Sequence, residues 1–123
     1  MNYWIRTVAS AGALALCLTT QAMATSFEDA QSAYNQGNYA EAVRIWRPLA
    51  ARGDTRSEYM LGKAYDRGQG VAQNYAVAAQ WYLRAAEQGL PEAQADLGTM
   101  YASGHGVPLD YALAIKWWDR AAG

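Results

Sequence analysis

Apolar residues recur along this chain at the three- and four-residue spacing of helices, in six short blocks separated by glycine or by a polar cap. Phe27, Ala30, Ala33 and Tyr34 make the first, and Tyr39, Ala42, Val43, Trp46, Leu49 and Ala50 the second. The third holds Met60, Leu61, Ala64 and Tyr65, and the fourth Tyr75, Ala78, Ala79, Trp81, Tyr82, Ala85 and Ala86. Ala93, Leu97, Met100 and Tyr101 make the fifth, and the sixth runs from Tyr111 onward. Each block puts an apolar stripe on one helical face. Start signals stand before them: Ser26 with Asp29, Asn38 with Glu41, Asp54 or Thr55 with Glu58, Asn74, Pro91 and Asp110. Gly37, Gly53, Gly68, Gly89 and Gly104 punctuate the ends, and Pro48 predicts a kink in the second helix. No stretch alternates with period two, so the expected class is all-α.

One stretch recurs. Leu61 to Ala86, LGKAYDRGQGVAQNYAVAAQWYLRAA, returns 36 residues later as Leu97 to Ala122, LGTMYASGHGVPLDYALAIKWWDRAA. A period of that size marks a repeat array, in which each helix pair buries its stripe against the next. Gly62 and Gly98 fall mid-helix, where glycine costs about 1 kcal/mol relative to alanine, so close helix approach is expected there. Trp81 and Trp117 are expected to fill the spaces between layers. Val71 is expected to plug back into the core. The first pair is a variant: Tyr34 to Tyr65 spans 31 residues, because its connection is five residues shorter. The pairs fall at about 26–53, 54–89 and 90–123, within one domain from residue 25 to 123.

The motif LGxxYxxGxGV at Leu61–Val71 and Leu97–Val107 continues with Asn74 or Asp110, AxxW at Ala78–Trp81 and Ala114–Trp117, and paired alanines. In this it resembles the Sel-one-like repeat (SLR) family, within the tetratricopeptide-repeat (TPR)-like superfamily; the first pair is closer to a tetratricopeptide unit. The resemblance implies an α/α superhelical solenoid of three antiparallel helix pairs, right-handed, with a concave face that holds a protein or peptide. In that geometry the first helix of each pair lines the concave face. The exposed candidates are then Met60, Lys63 and Arg67, with Asp96, Thr99 and Ser103 one repeat on and Asp29, Ser32 and Gln36 in the first pair. The row is mixed in charge, which suits a peptide or protein rather than a phosphate. Some exported family members with a disulfide in each repeat are credited with binding or hydrolysing β-lactams. Here the chain beyond residue 24 has no cysteine.

Residues 1–24 change the picture by compartment. A short head carrying Arg6, an uncharged apolar run from Val8 to Leu18, and Ala22-Met23-Ala24 have the form of a secretory signal peptide with its cleavage site. The apolar run is shorter than the roughly 20 residues a spanning helix needs. Cleavage would remove Cys17, the only cysteine, and a periplasmic or secreted protein without disulfides is expected. Ten Lys and Arg against eleven Asp and Glu leave a net charge of −1 with no basic cluster. Neither nucleic-acid binding nor a polybasic membrane patch is expected.

Candidate chemistry is sparse. His105, the single histidine, fills the x of GxG where the preceding repeat has Gln69, and a solvated loop residue is expected. Ser103, His105 and Asp110 are near in sequence, but Ser103 matches Arg67 and Asp110 is a helix cap, so repeat structure accounts for them without a triad. Glu28-Asp29 fits a helix first turn. The two GxG loops lack the preceding strand and the lysine of a phosphate loop. No cofactor, no metal and no catalytic residue are expected. Trp118 matches Trp46 and Tyr82, a position that packs toward a following repeat. With Ile115 it is expected to form an apolar surface for self-association or a partner. The function these features favour is an exported interaction scaffold or adaptor in the bacterial envelope or outside the cell. The runner-up is a β-lactam- or peptidoglycan-interacting hydrolase.

Overall fold

The computed structural model describes residues 26–123; the signal-peptide reading of residues 1–24 lies outside them. Six helices and no strand are present among the described residues: α1 (Phe27–Asn35), α2 (Tyr39–Ala51), α3 (Thr55–Arg67), α4 (Tyr75–Glu87), α5 (Pro91–Ser103) and α6 (Tyr111–Ala122). They pack chiefly against their neighbours in sequence, as a stacked repeat array does. The protein is an all-α helical repeat solenoid.

Local chemistry explains most of the starts. Ser26 and Asp29 form a reciprocal capping box, the Asp29 amide donating to Ser26 Oγ and the Ser26 amide to Asp29 Oδ2. Asn74 accepts from the Val77 amide and Asp110 from the Leu113 amide at equivalent positions. Two expected boxes are absent. Asn38 makes no side-chain cap, and Glu41 instead pairs with Arg44. Asp54, not Thr55, caps α3, and Glu58 is buried rather than turned back to the cap. Helix α2 runs through Pro48 unbroken. Pro48 and Arg44 are both exposed, so water can satisfy the Arg44 carbonyl that proline leaves without a helical donor.

The core lies in two clusters. Trp46, Leu61 and Ala42 anchor the one between the first two pairs; Tyr82, Leu97 and Ala93 anchor the one between the last two. Trp46 and Tyr82 are 0% and 1% exposed, while Trp81 and Trp117 are only half-buried. In the second pair the recurring tryptophan is therefore not the deepest filler, and the residue after it is; in the third, Trp117 is half-buried and Trp118 more open still. Neighbours on a helix point about 100° apart, so only one of the two can face the glycine of the partner helix. Arg84 and Arg120 lie over the Trp81 and Trp117 rings, with guanidinium carbons 5.1 and 4.4 Å from the ring centroids. Val71 and Val107 plug their loops against the first and second clusters respectively.

Candidate functional site

The third and fifth helices bring several of the expected site residues together. Tyr59 on α3 donates its hydroxyl to Asp96 Oδ2 on α5 at 2.9 Å. The Lys63 ammonium lies 5.6 Å from the Tyr59 ring centroid, one turn along. Behind them Tyr82 of α4 donates to Asp66 Oδ2 at 3.2 Å, and its ring stands 5.7 Å from that of Tyr59. Burial pushes the Asp96 carboxyl above its ordinary range and Asp66 adds to this; the Tyr59 hydroxyl, Lys63 and Arg67 pull it back. Burial first, and neighbouring carboxylates second, push the Tyr59 and Tyr82 hydroxyls well up. Both phenols stay protonated donors at any physiological pH.

Arg67 continues the row toward the first pair. Its guanidinium donates to the Tyr34 hydroxyl at 3.4 Å, and Tyr34 donates to Gln69 Oε1 at 2.9 Å. At the other end of α3, Arg56 lies over the Phe27 ring, 4.1 Å from its centroid, and reaches Glu28 at 3.5 Å. Aromatic and ionic contacts thus tie each first helix to the next.

Met60 is the exception among the expected site residues. It is 7% exposed and belongs to the first core cluster, so it offers no surface to a partner. Its repeat counterpart is Asp96, which is only half-buried. The same position carries a core residue in one repeat and a satisfied acid in the next. Thr99 and Ser103 are exposed, their hydroxyls donating to Ala95 O and Met100 O within their own helix. Asp29 caps α1, and Ser32 and Gln36, bonded to each other, edge an open groove of about 400 Å³ beside Phe27 and Gln31.

Tyr59, the hub of this cluster, has Ala95 as its counterpart, so no period in the sequence points to it. Its partner Asp96 is marked in the sequence only as the repeat equivalent of Met60. The one available signal was their joint departure from the repeat.

On α6, Trp118 is 41% and Ile115 54% exposed, with Tyr111 also open, as is Leu109 in the loop before the helix. The Trp118 ring lies over Gly98 and its indole N–H donates to Ala95 O at 3.2 Å. His105 is exposed but not merely solvated: it stacks on Tyr75, centroids 4.8 Å apart and planes 10° apart. Ser103 accepts from the His105 backbone amide, while Asp110 accepts from the α6 backbone. Each of the three has a structural role in its turn or helix start. Among the described residues no group of three His, Cys, Asp or Glu could hold a metal, and no helix is long and apolar enough to cross a membrane.

Helix pairs of this length, closed by paired-glycine loops and stacked through small residues, define an α/α repeat protein. The Sel1 repeat model matches residues 55–90 and 91–122, and the chain belongs to that family. A Sel1 repeat protein from Oxalobacter formigenes is similar at 34% identity and a TM-score of 0.75, over 79% of this chain and 40% of its own. The protein c5321, a protective antigen of uropathogenic Escherichia coli with an SLR fold, is similar at 40% identity and a TM-score of 0.75. That match covers 85% of this chain and 24% of the antigen. Cysteine-rich protein B of Helicobacter pylori shares the fold at 18% identity and a TM-score of 0.66, over 80% of this chain and 90% of its own. The chain thus spans well under half the length of the first two. No curated protein matches it.

Proposed function

We propose that this chain is an exported scaffold that holds a protein or peptide, without catalysis, in the bacterial envelope or outside the cell. Sel1 repeats as a class suggest protein–protein interaction, and the leader-like residues 1–24 supply the argument for export. The observation that carries the binding reading is the Tyr59–Lys63–Asp96 cluster on adjacent first helices. These residues do not recur from repeat to repeat, so stacking does not demand them, and with Arg67 they offer donors, a cation and an acceptor along one row. Thr99 and Ser103 extend that row. A second contact, self-association or a partner, falls to the exposed stripe of Ile115 and Trp118.

Crosslinking and affinity capture from envelope fractions test this, with Lys63→Glu/Arg67→Glu beside the native protein. A specific partner held by the native chain and lost from the variant supports the scaffold. Turnover of nitrocefin or muropeptides by the purified protein would overturn its non-catalytic character. Recovery of the protein only from the cytoplasm would overturn export.

A further inference from the structure

Two crevices occupy equivalent places in this array, one between the first and second pairs and one between the second and third. In each, a GxGV loop closes on the start of the preceding pair's second helix. A β-carbon on Gly70 would lie 2.6 Å from the Tyr39 carbonyl, and one on Gly106 would collide with the Tyr75 carbonyl. With the backbone walls alike, side chains make the difference between the two.

The first crevice is filled from within. Val43 is buried in it, and Arg47 reaches across to Tyr65, its guanidinium 5.8 Å from the ring centroid and donating to the hydroxyl at 3.1 Å. One repeat on, Val43 becomes Ala79, Arg47 becomes Leu83 and Tyr65 becomes Tyr101. Two methyl groups and a guanidinium are gone. What remains is an open space of about 150 Å³, walled by Ala79, Leu83, Leu97 and Val107, with Tyr101 and Gln80 as its polar members. That is about five water molecules' share of liquid volume. It is too small for a typical ligand pocket of 300 Å³ or more, and the size for one long side chain.

We propose that this second crevice is a socket for an arginine side chain presented by a partner protein. The stem would pack on Ala79, Leu83 and Leu97, and the guanidinium would meet the Tyr101 ring and hydroxyl as Arg47 meets Tyr65. Arginine fits better than an aliphatic residue because the socket keeps the tyrosine face and adds the Gln80 side-chain carbonyl. A planar guanidinium can stack on the first and donate to both oxygens. The socket shares no residue with the Tyr59–Lys63–Asp96 cluster, so it stands or falls apart from the scaffold reading of that cluster.

Titration of the protein with Nα-acetyl-arginine amide and Nα-acetyl-leucine amide, followed by NMR at Ala79, Leu83 and Tyr101, tests it. The arginine probe is expected to give saturable shifts at all three and to bind at least fivefold tighter than the leucine probe. Tyr101→Phe, which removes one acceptor, should weaken the arginine probe roughly fivefold and leave the leucine probe unchanged. Ala79→Val/Leu83→Arg, which rebuilds the filled crevice, should abolish both. Equal or tighter leucine binding, no saturable shift, or arginine binding indifferent to Tyr101→Phe would overturn the proposal. The tyrosine variant decides the matter even if the double variant misfolds.

Discussion

The ring of Tyr82 lies where a side chain on Gly62 would begin: a β-carbon there would stand 2.5 Å from the ring Cδ1. Tyr82 is buried and cannot swing away. Trp118 bears the same relation to Gly98, at 2.6 Å, but is 41% exposed and can yield at the cost of its bond to Ala95 O, whereas the Ala114 carbonyl, 3.1 Å from the same β-carbon, is fixed. Alanine in a helix gains about 1 kcal/mol over glycine, while overpacking a core costs about 1–3 kcal/mol. Gly62→Ala should therefore lose up to about 2 kcal/mol in urea unfolding, and Gly98→Ala should lose less, since only the Ala114 carbonyl is fixed there. Equal losses at the two sites would show that ring packing is not what sets the glycine.

That relationship also marks how far the sequence could be read. The period, the helix starts at Asn74 and Asp110, and the glycine turns are local or repeat-encoded, and the structure has them all. The choice between Trp81 and Tyr82 for the deep position is not local. Both are large aromatics on one helix, and only the rotation of α4 against α3 decides which meets Gly62. The same holds for Met60: it lies on the side of α3 that Leu61 and Tyr65 leave unused, and only the packing of α3 against its neighbours turns it into the core. Tyr59 and Asp96 pair across 37 residues without recurring, and so left no mark in the period.

Truncating the aromatic pair should reveal the same division. Tyr82→Ala empties a fully buried site and is expected to cost about 3–5 kcal/mol. Trp118→Ala, at the equivalent but open position, should cost about 1–2 kcal/mol, from lost area and the bond to Ala95 O. Trp81→Ala should fall nearer to Trp118→Ala than to Tyr82→Ala, because Trp81 is half-buried. Chemical denaturation of the three variants gives the ranking. A Trp81 loss exceeding that of Tyr82 would return the core role to the recurring tryptophan.

Glu58 should make stability fall as pH rises through its carboxyl range. Gln94, its counterpart, is buried and donates to Ala86 O at 3.0 Å at the end of α4. A carboxylate at that position can only accept, and Glu58 takes its bond from Gln88. Burial pushes its carboxyl up, with the Gln88 bond opposing. A folded value above the unfolded one, about 4.3, means that its stabilising contribution is complete below that pH and lost above the folded value. Glu58→Gln keeps the acceptor for Gln88 and adds a donor. It should match the native protein near pH 4 and exceed it by about 1 kcal/mol at pH 7. Thermal melts across that interval would show a constant difference if Glu58 were not involved.

The Tyr59–Asp96 bond should show the opposite response to removal. Asp96 already sits above its ordinary range because of burial, so its charged form weakens the fold as pH rises through the folded value. The Tyr59 hydroxyl limits that penalty by donating to the carboxylate. In Tyr59→Phe the donor is gone while the ring remains, so the Asp96 value should climb further. Stability should drop by about 1 kcal/mol at neutral pH, with the loss shrinking as pH falls through the raised Asp96 values and gone near the ordinary carboxylate range, about pH 4, where the carboxyl is protonated in both proteins. Following the Asp96 side-chain carbon by NMR titration measures the shift directly. An unchanged midpoint would mean that Lys63 and Arg67 alone hold the carboxylate, and Asp96→Asn in the Tyr59→Phe background should then destabilise further. If the hydroxyl is the principal partner, Asp96→Asn should instead recover part of the loss, because the neutral amide no longer leaves a buried charge short of a donor.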